Sequence, residues 1–593
     1  MFVSPVNPKA FSYYRFRYEG FLEEEGNVIN KIKIIPKLND PILMEGYIYI
    51  ADETWHIYSA ELVTSVYGVN QNYNVSFRQL GENIYLPITY LIESKINVLG
   101  VNALMNYYTS ITYTDIKINE DKQKDIKEKK KEKKKSFEIP RYDSLYVVKS
   151  DSLANKRDSL YWKNVRAIPL DGREISTLLK KDSIQNRFDS VRKEFHNPSF
   201  SFGDLLDGGE IRIDSNKVKI RYDGLVKGVI KEYNFVDGLW LGQTFEIETK
   251  IGKRNKLKIS PYIYYALSRK RIIGGGDIDL NYAPMRLGRL NISGGSTSEC
   301  FNPNGIHRLN NFSSSLIYGK NYNDFYQKDY ISATNSIDIS NGLKIFTGFE
   351  IAKRHGLHNT TDYTWGKKSK IRPNLFPEDR FDKTAVNLGI NYTPYAYYSI
   401  RNGAKYYVKI ASPTFYIRYT EAFSAWQTNN ARYRKLYGGL QQTIKVSEFS
   451  DLSYTLEGGG FLGKKERIHF ADFQHFNTSD VTFSFKSPFS SFMLLDNYAA
   501  STKKYWLRSN INYDSKYIIL KRLPFLQGKM FSEALHLKTL YTPEMKFYTE
   551  AGYSINFQKM INLGAFVSFK KGIYQDFGVR VVFDWDRIKN FVD

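Results

Sequence analysis

From Gly238 onward the chain alternates apolar and polar side chains. Leu239, Leu241, Phe245 and Ile247 fall on one parity, and Gly242, Thr244, Glu246 and Glu248 on the other. A strand repeats its side-chain direction every two residues, so this spacing predicts a strand with one greasy face and one wet face. After a turn at 252–255, Leu257, Ile259, Ile263, Tyr265 and Leu267 alternate with Lys258, Ser260, Tyr262, Tyr264 and Ala266. The pattern resumes at Ile278, Leu280 and Tyr282. It recurs at 343–351, 385–392, 414–420, 452–457, 505–513, 535–541, 548–555 and 561–569, and again at Phe577, Val579, Val581 and Phe583. In the 561–569 segment Ile561, Leu563, Ala565, Val567 and Phe569 form the outward face. Asn562, Gly564, Ser568 and Lys570 form the inward one, and Phe566 breaks the rule. The segments are about 9–12 residues long, the length a tilted strand needs to cross a bilayer.

The expectation is mainly β, with residues 233–593 forming a transmembrane β-barrel of about 14–16 strands. Closure favours a barrel over an open sheet, because lipid offers unpaired backbone groups no partner. A soluble sandwich or propeller also alternates, so periodicity alone does not separate the two. Polar stretches at 355–382 and 470–480 are expected as extracellular loops. Gly274-Gly275-Gly276 is expected to be a turn, and Gly458-Gly459-Gly460 to end a strand at a close backbone approach or a bend.

Upstream, residues 1–118 predict a small antiparallel β domain. Tyr14, Phe16 and Tyr18 alternate with Arg15, Arg17 and Glu19. Ile32 and Ile34 alternate with Lys31 and Lys33. Ile48, Ile50, Trp55, Ile57 and Leu62 belong to further strands, with a hairpin turn at Asp52-Glu53 and His56 as an ordinary strand histidine. Residues 119–136 are rich in Lys and Glu; like charges repel, so a solvated linker is expected. Residues 137–232 predict a mixed connector with short helices. Asp171 can cap and Glu174 lies three residues on. Ile184, Phe188, Val191 and Phe195 follow at helical spacing. This connector is expected to pack against the first domain or the barrel mouth, or to plug the lumen. Ile211, Ile213, Val218 and Ile220 return to period two.

Composition agrees with this layout. Among 593 residues aromatics make up 16%, as girdles at two membrane interfaces require. The chain has no run of 18 apolar residues, so no transmembrane helix is expected. The formal charge of +23 suits anionic lipid or lipopolysaccharide; no nucleic-acid motif accompanies it. The start, Met1-Phe2-Val3-Ser4-Pro5, lacks a basic region and an apolar core, so a signal peptide is expected to be missing from this chain.

The chemistry-bearing residues do not assemble into a known motif. Cys300 is the single cysteine and builds no disulfide. His355 and His358 are three apart, and His469 and His475 six apart, without a complete metal-binding pattern. Phosphate loops and serine elbows are likewise missing. The expectation is therefore no enzyme, and no catalytic, cofactor or metal residue is assigned.

Several stretches resemble a family of uncharacterised outer-membrane proteins typical of Bacteroidota. They are Phe2-Val3-Ser4-Pro5, Tyr13-Tyr14-Arg15-Phe16, Ile32-Lys33-Ile34-Ile35-Pro36-Lys37 and Gly46-Tyr47-Ile48-Tyr49-Ile50. Further on come Arg157-Asp158-Ser159-Leu160-Tyr161-Trp162, Arg166-Ala167-Ile168-Pro169-Leu170 and Tyr233-Asn234-Phe235-Val236-Asp237-Gly238. The resemblance implies a periplasmic β domain followed by an outer-membrane barrel, usually preceded by a carboxypeptidase-regulatory-like domain. It implies no activity. The reading expected from the sequence is a non-enzymatic outer-membrane protein for transport, envelope assembly or surface attachment. Its partners would be outer-membrane lipid, lipopolysaccharide and the barrel-assembly machinery, with no nucleic acid. The alternative is a soluble secreted β-rich protein that binds glycans.

Overall fold

A computed structural model of the chain describes residues 2–113 and 208–584, with short interruptions, and a few positions between these stretches. The Lys-rich linker at 119–136 and nearly all of the helix expected at 171–195 lie outside the described residues. The protein is mainly β and forms two compact units.

The first unit holds a seven-stranded sheet: β1 (Tyr14–Glu24), β2 (Asn27–Pro36), β3 (Glu45–Ala51), β4 (Ile57–Val66), β5 (Val69–Gly81), β6 (Ile84–Val98) and β7 (Val101–Ser110). Each strand pairs antiparallel with the next. Ile29, Ile34, Leu43, Met44 and Ile48 are buried in this unit. Tyr14 is buried too. Its hydroxyl donates to the Val3 carbonyl and accepts from the Met44 N–H, so its polar tip is satisfied. His56 stacks on Tyr85 with ring centroids 3.4 Å apart.

The second unit is built on a 19-stranded sheet. Its first strands are short: β8 (Gly209–Ile213), β9 (Val218–Tyr222) and β10 (Ile230–Asn234). Then come β11 (Gly238–Ile251), β12 (Asn255–Ala266), β13 (Arg271–Tyr282), β14 (Gly288–Cys300), β15 (Phe325–Ser340), β16 (Leu343–Gly356) and β17 (Lys383–Tyr392). A separate hairpin, β18 (Ala396–Arg401) and β19 (Ala404–Ile410), intervenes. The sheet continues with β20 (Thr414–Ala422), β21 (Arg432–Ser447), β22 (Ser450–Arg467), the two-residue β23 (Phe483–Ser484) and β24 (Tyr505–Ser515). It ends with β25 (Phe531–Thr542), β26 (Lys546–Phe557), β27 (Ile561–Lys570) and β28 (Ile573–Phe583). Fifteen of these strands are 9 to 18 residues long. β9 and β10 lie end to end along one edge of β11 and act as a further, interrupted strand. The sheet thus begins at Gly209, ahead of the boundary expected at 233, because the period-two stretch from Ile211 to Ile220 joins it.

Antiparallel neighbours in sequence need only tight turns. Between β27 and β28, Lys571 and Gly572 both have positive φ (53° and 80°). That is the primed turn whose twist matches a hairpin. Gly274-Gly275-Gly276, expected as a turn, instead lies inside β13 and pairs on both sides. A Cβ on Gly275 would fall 2.4 Å from the Gly294 carbonyl and 2.8 Å from the Tyr262 hydroxyl, so the glycine serves close packing. Gly459 does the same under Trp506 and Tyr437, but β22 runs on past it to Arg467.

Burial along the long strands is inverted relative to a soluble sheet. In β25, Leu535 and Leu537 are each 44% exposed, while His536 and Lys538 between and beside them are 3% and 1% exposed. Ile263, Ile278, Ile331, Phe349, Leu388, Ile417, Leu507, Ile511, Leu563 and Val579 repeat the outward apolar row on other strands. A soluble monomer seldom leaves a contiguous apolar surface beyond a few hundred Å². Among the described residues no helix is long and apolar enough to cross a membrane.

Candidate functional site

The polar parity of each long strand forms an inner face, and strand registers align it from one strand to the next. Lys328 pairs with Arg354, Asn387 with Thr420, Glu457 with Arg508, and Lys538 with both Asn510 and Glu550. Against this face lies the segment between β22 and β24, residues 468–504. It has little regular structure, yet many of its side chains are buried. The stretch expected as an extracellular loop at 470–480 is part of it.

Three sets of contacts hold the segment. In the first, the Arg354 guanidinium donates to both oxygens of Asp472, at 2.9 and 2.7 Å, and to the Phe381 carbonyl at 2.7 Å. Lys383 bridges Asp472 at 3.9 Å and Glu350 at 2.9 Å, and Lys328 bridges Glu350 at 2.7 Å. In the second, Glu550 accepts the backbone N–H groups of Met493 and Leu494 at 2.8 and 2.9 Å. Arg580 donates to the Met493 carbonyl at 2.9 Å and pairs with Asp480 at 2.6 Å. In the third, Asn302 donates to the carbonyls of Phe476 and Asn497.

Apolar contacts fill the gaps. Phe476, Phe492, Leu495 and Ala500 join a cluster with Tyr433, Trp506, Leu540 and Tyr548. Met493 and Leu494 pack on Phe566 and Val582. This accounts for Phe566, the exception to the alternation: it turns inward because an apolar part of the segment covers it. Gly552 and Gly564 leave room for its ring.

These contacts fix the curvature of the sheet. β14 and β26 lie nine strand steps apart, about 43 Å if the sheet were flat. Yet Leu494 touches Glu550 of β26, and Asn497, three residues on, touches Asn302 just beyond β14. Three residues span about 10 Å. Even with two side chains added, that reach requires the sheet to curl around the segment.

The residues singled out in the sequence fall in different places. His475 Nε2 donates to the Phe470 carbonyl at 3.0 Å, and its Nδ1 accepts from Ser501 at 2.7 Å. Burial pushes its pKa down to about 4. His469 is buried with its ring 5.6 Å from Phe381. His355 lies at the end of β16 and His358 just beyond it, in the β16–β17 connection expected as an extracellular loop. That connection is partly pinned, since Arg372 pairs with Asp324, and Asn374 donates to the carbonyls of Phe325 and Leu357. Cys300 is buried against Val236 and Phe325. Among the described residues no group of three His, Cys, Asp or Glu side chains could hold a metal. Sequence reasoning missed the anchors Arg354, Asp472, Glu550 and Arg580. The available signal was buried-type charge at inward positions of otherwise clean strands.

Residues 203–555 match the Family of unknown function (DUF5686) C-terminal domain, and residues 1–114 match the Family of unknown function (DUF5686). The chain belongs to this family of unknown function. No curated protein matches it. Solved structures with some likeness include BamA from Haemophilus ducreyi lacking POTRA domains 1–3. It is 10% identical at a TM-score of 0.34, over 66% of this chain and 78% of that one. Another is Wzi, an outer-membrane, carbohydrate-binding β-barrel involved in group 1 capsule assembly in Escherichia coli. It is 9% identical at a TM-score of 0.20, over 70% of this chain and 90% of that one. At these TM-scores neither carries an argument about function.

Two outcomes follow from the anchoring. Asp472→Ala strands a buried guanidinium, a loss of about 3–5 kcal/mol, and should release the segment. Limited proteolysis should then cut within 470–500 where the unaltered protein resists. Acid acts through His475. Its folded pKa near 4 lies below the ordinary 6.5, so the unfolded state binds the extra proton and stability falls as pH drops between these values. Protease sensitivity of the segment should rise over that window, and His475→Gln should flatten the rise.

Proposed function

We propose that this is an outer-membrane β-barrel protein of the Bacteroidota-type envelope, with its N-terminal β domain in the periplasm. It acts without catalysis in transport, envelope assembly or surface attachment. One observation carries the reading: along the long strands apolar side chains are exposed while their polar neighbours are buried. That arrangement suits hydrocarbon outside and a polar interior inside. The β8–β9 hairpin extends the sheet along the free edge of β11, and the segment's contacts from β14 to β26 curl the long strands around a shared interior. The connections support an orientation. The three longest, at 301–324, 357–382 and 468–504, all leave one end of the sheet, while 393–413 and 516–530 leave the other. Long connections face outward in such barrels. The inward-folded segment keeps the lumen shut at rest. Lipid, lipopolysaccharide and the barrel-assembly machinery are the partners, and nucleic acid is not one. The inverted burial disfavours the soluble glycan-binding alternative, which would put the apolar rows inside.

Fractionation tests the reading. The full chain should sediment with outer membranes and require detergent; recovery in the soluble periplasm would sink the proposal. Leu537→Arg, on the outer face, should lower folded stability in lipid by about 2–4 kcal/mol, whereas a charge on the inner face should cost far less. In planar bilayers the unaltered protein should conduct weakly, and replacing 477–495 by a short Gly-Ser linker should raise the conductance.

A further inference from the structure

The segment fills only part of the interior. A cavity of about 630 Å³ remains against the inner face of β14, β15, β16, β17, β20 and β21. That volume is in the usual range for small-molecule sites. Glycine makes the room: a Cβ on Gly389 would fall 2.7 Å from Arg418, whose side chain lies across that position. The Arg418 guanidinium stacks on Phe346, 4.4 Å from the ring centroid.

Two arginines line the cavity, and they differ. Arg289 is neutralised by Asp279, which accepts from both its Nε and one Nη. Arg418 has no carboxylate within ion-pair distance among the described residues. Its Nη1 donates to the carbonyls of Ile390 and Ile417, and its Nη2 to Asn391. Of five N–H donors, three are used. The Nε–H and one Nη2–H remain, and a guanidinium offers such donors to a carboxylate or phosphate as a fork. Around this cation stand groups suited to hydroxyls. Asn387 accepts from Thr420 at 2.7 Å, and its NH2 makes no hydrogen bond to the described residues. Asn291 and Tyr437 also line the cavity.

We propose that this cavity binds an acidic saccharide, with Arg418 holding its carboxylate or phosphate and Asn291, Asn387 and Tyr437 contacting its hydroxyls. The site depends on the inner face alone. Its failure would therefore leave the membrane reading intact, and a soluble protein could still be titrated in plain buffer.

Isothermal titration of the full chain in detergent tests it, with digalacturonate, glucose 6-phosphate and maltose as probes. At least one acidic probe should bind, and maltose about tenfold or more weakly. Preference for digalacturonate identifies a uronate, and preference for glucose 6-phosphate a phosphosugar; either supports the proposal. Arg418→Gln should reduce acidic binding to the maltose level, and Arg418→Lys should restore only part, because an ammonium cannot form the fork. Fold is checked by heat-modifiable gel migration. If Arg418→Gln fails that check, Asn387→Ala is read in its place and should weaken the acidic probe. Equal binding of maltose, unchanged binding in the folded variant, or no binding of either acidic probe would overturn the proposal.

Discussion

The large sheet depends on keeping two solvents apart with a single layer of backbone. Each long strand sends apolar side chains one way and polar or charged ones the other. The parity cannot slip by one residue in any strand without moving every charge to the wrong side. The registers of consecutive strands keep it in step across the unit. Much of the charge on the inner face is paired, as at Arg354, Lys383 and Glu550, because a buried lone ion is far costlier than a satisfied one.

That constraint explains the segment at 468–504. A curled sheet with a polar inner face encloses space that must hold either water or protein. Here part of it holds protein, and the sheet supplies the partners. Arg354 and Arg580 meet carboxylates, Glu550 meets two backbone N–H groups, and Phe566 meets methionine and leucine. The segment needs no secondary structure of its own, since inward side chains satisfy much of its backbone. The cavity at Arg418 lies where the wall carries glycine, amide and a guanidinium without a carboxylate partner instead of anchors.

Much of the strand architecture was legible from period two, because alternation records directly which face each residue takes. The segment was not legible. Its composition is that of a polar loop, and its partners lie far off in the chain; Asn302 and Asn497 are 195 positions apart. Local reading also mistook Gly274-Gly275-Gly276 for a turn. Glycine signals both bends and close packing, and only the neighbouring strands tell which. Phe566 shows the reverse case: a visible break in the pattern was the one local trace of the buried contact.

The pairing of Asp480 with Arg580 spans 100 residues. Glu550, the other main acceptor, likewise lies downstream of everything it holds. As the chain is made and passed to its site of assembly, the segment therefore precedes several of its own partners. Its seating is a late, high-contact-order event that waits for the last strands. The final hairpin thus does two jobs at once: it ends the sheet and locks the interior.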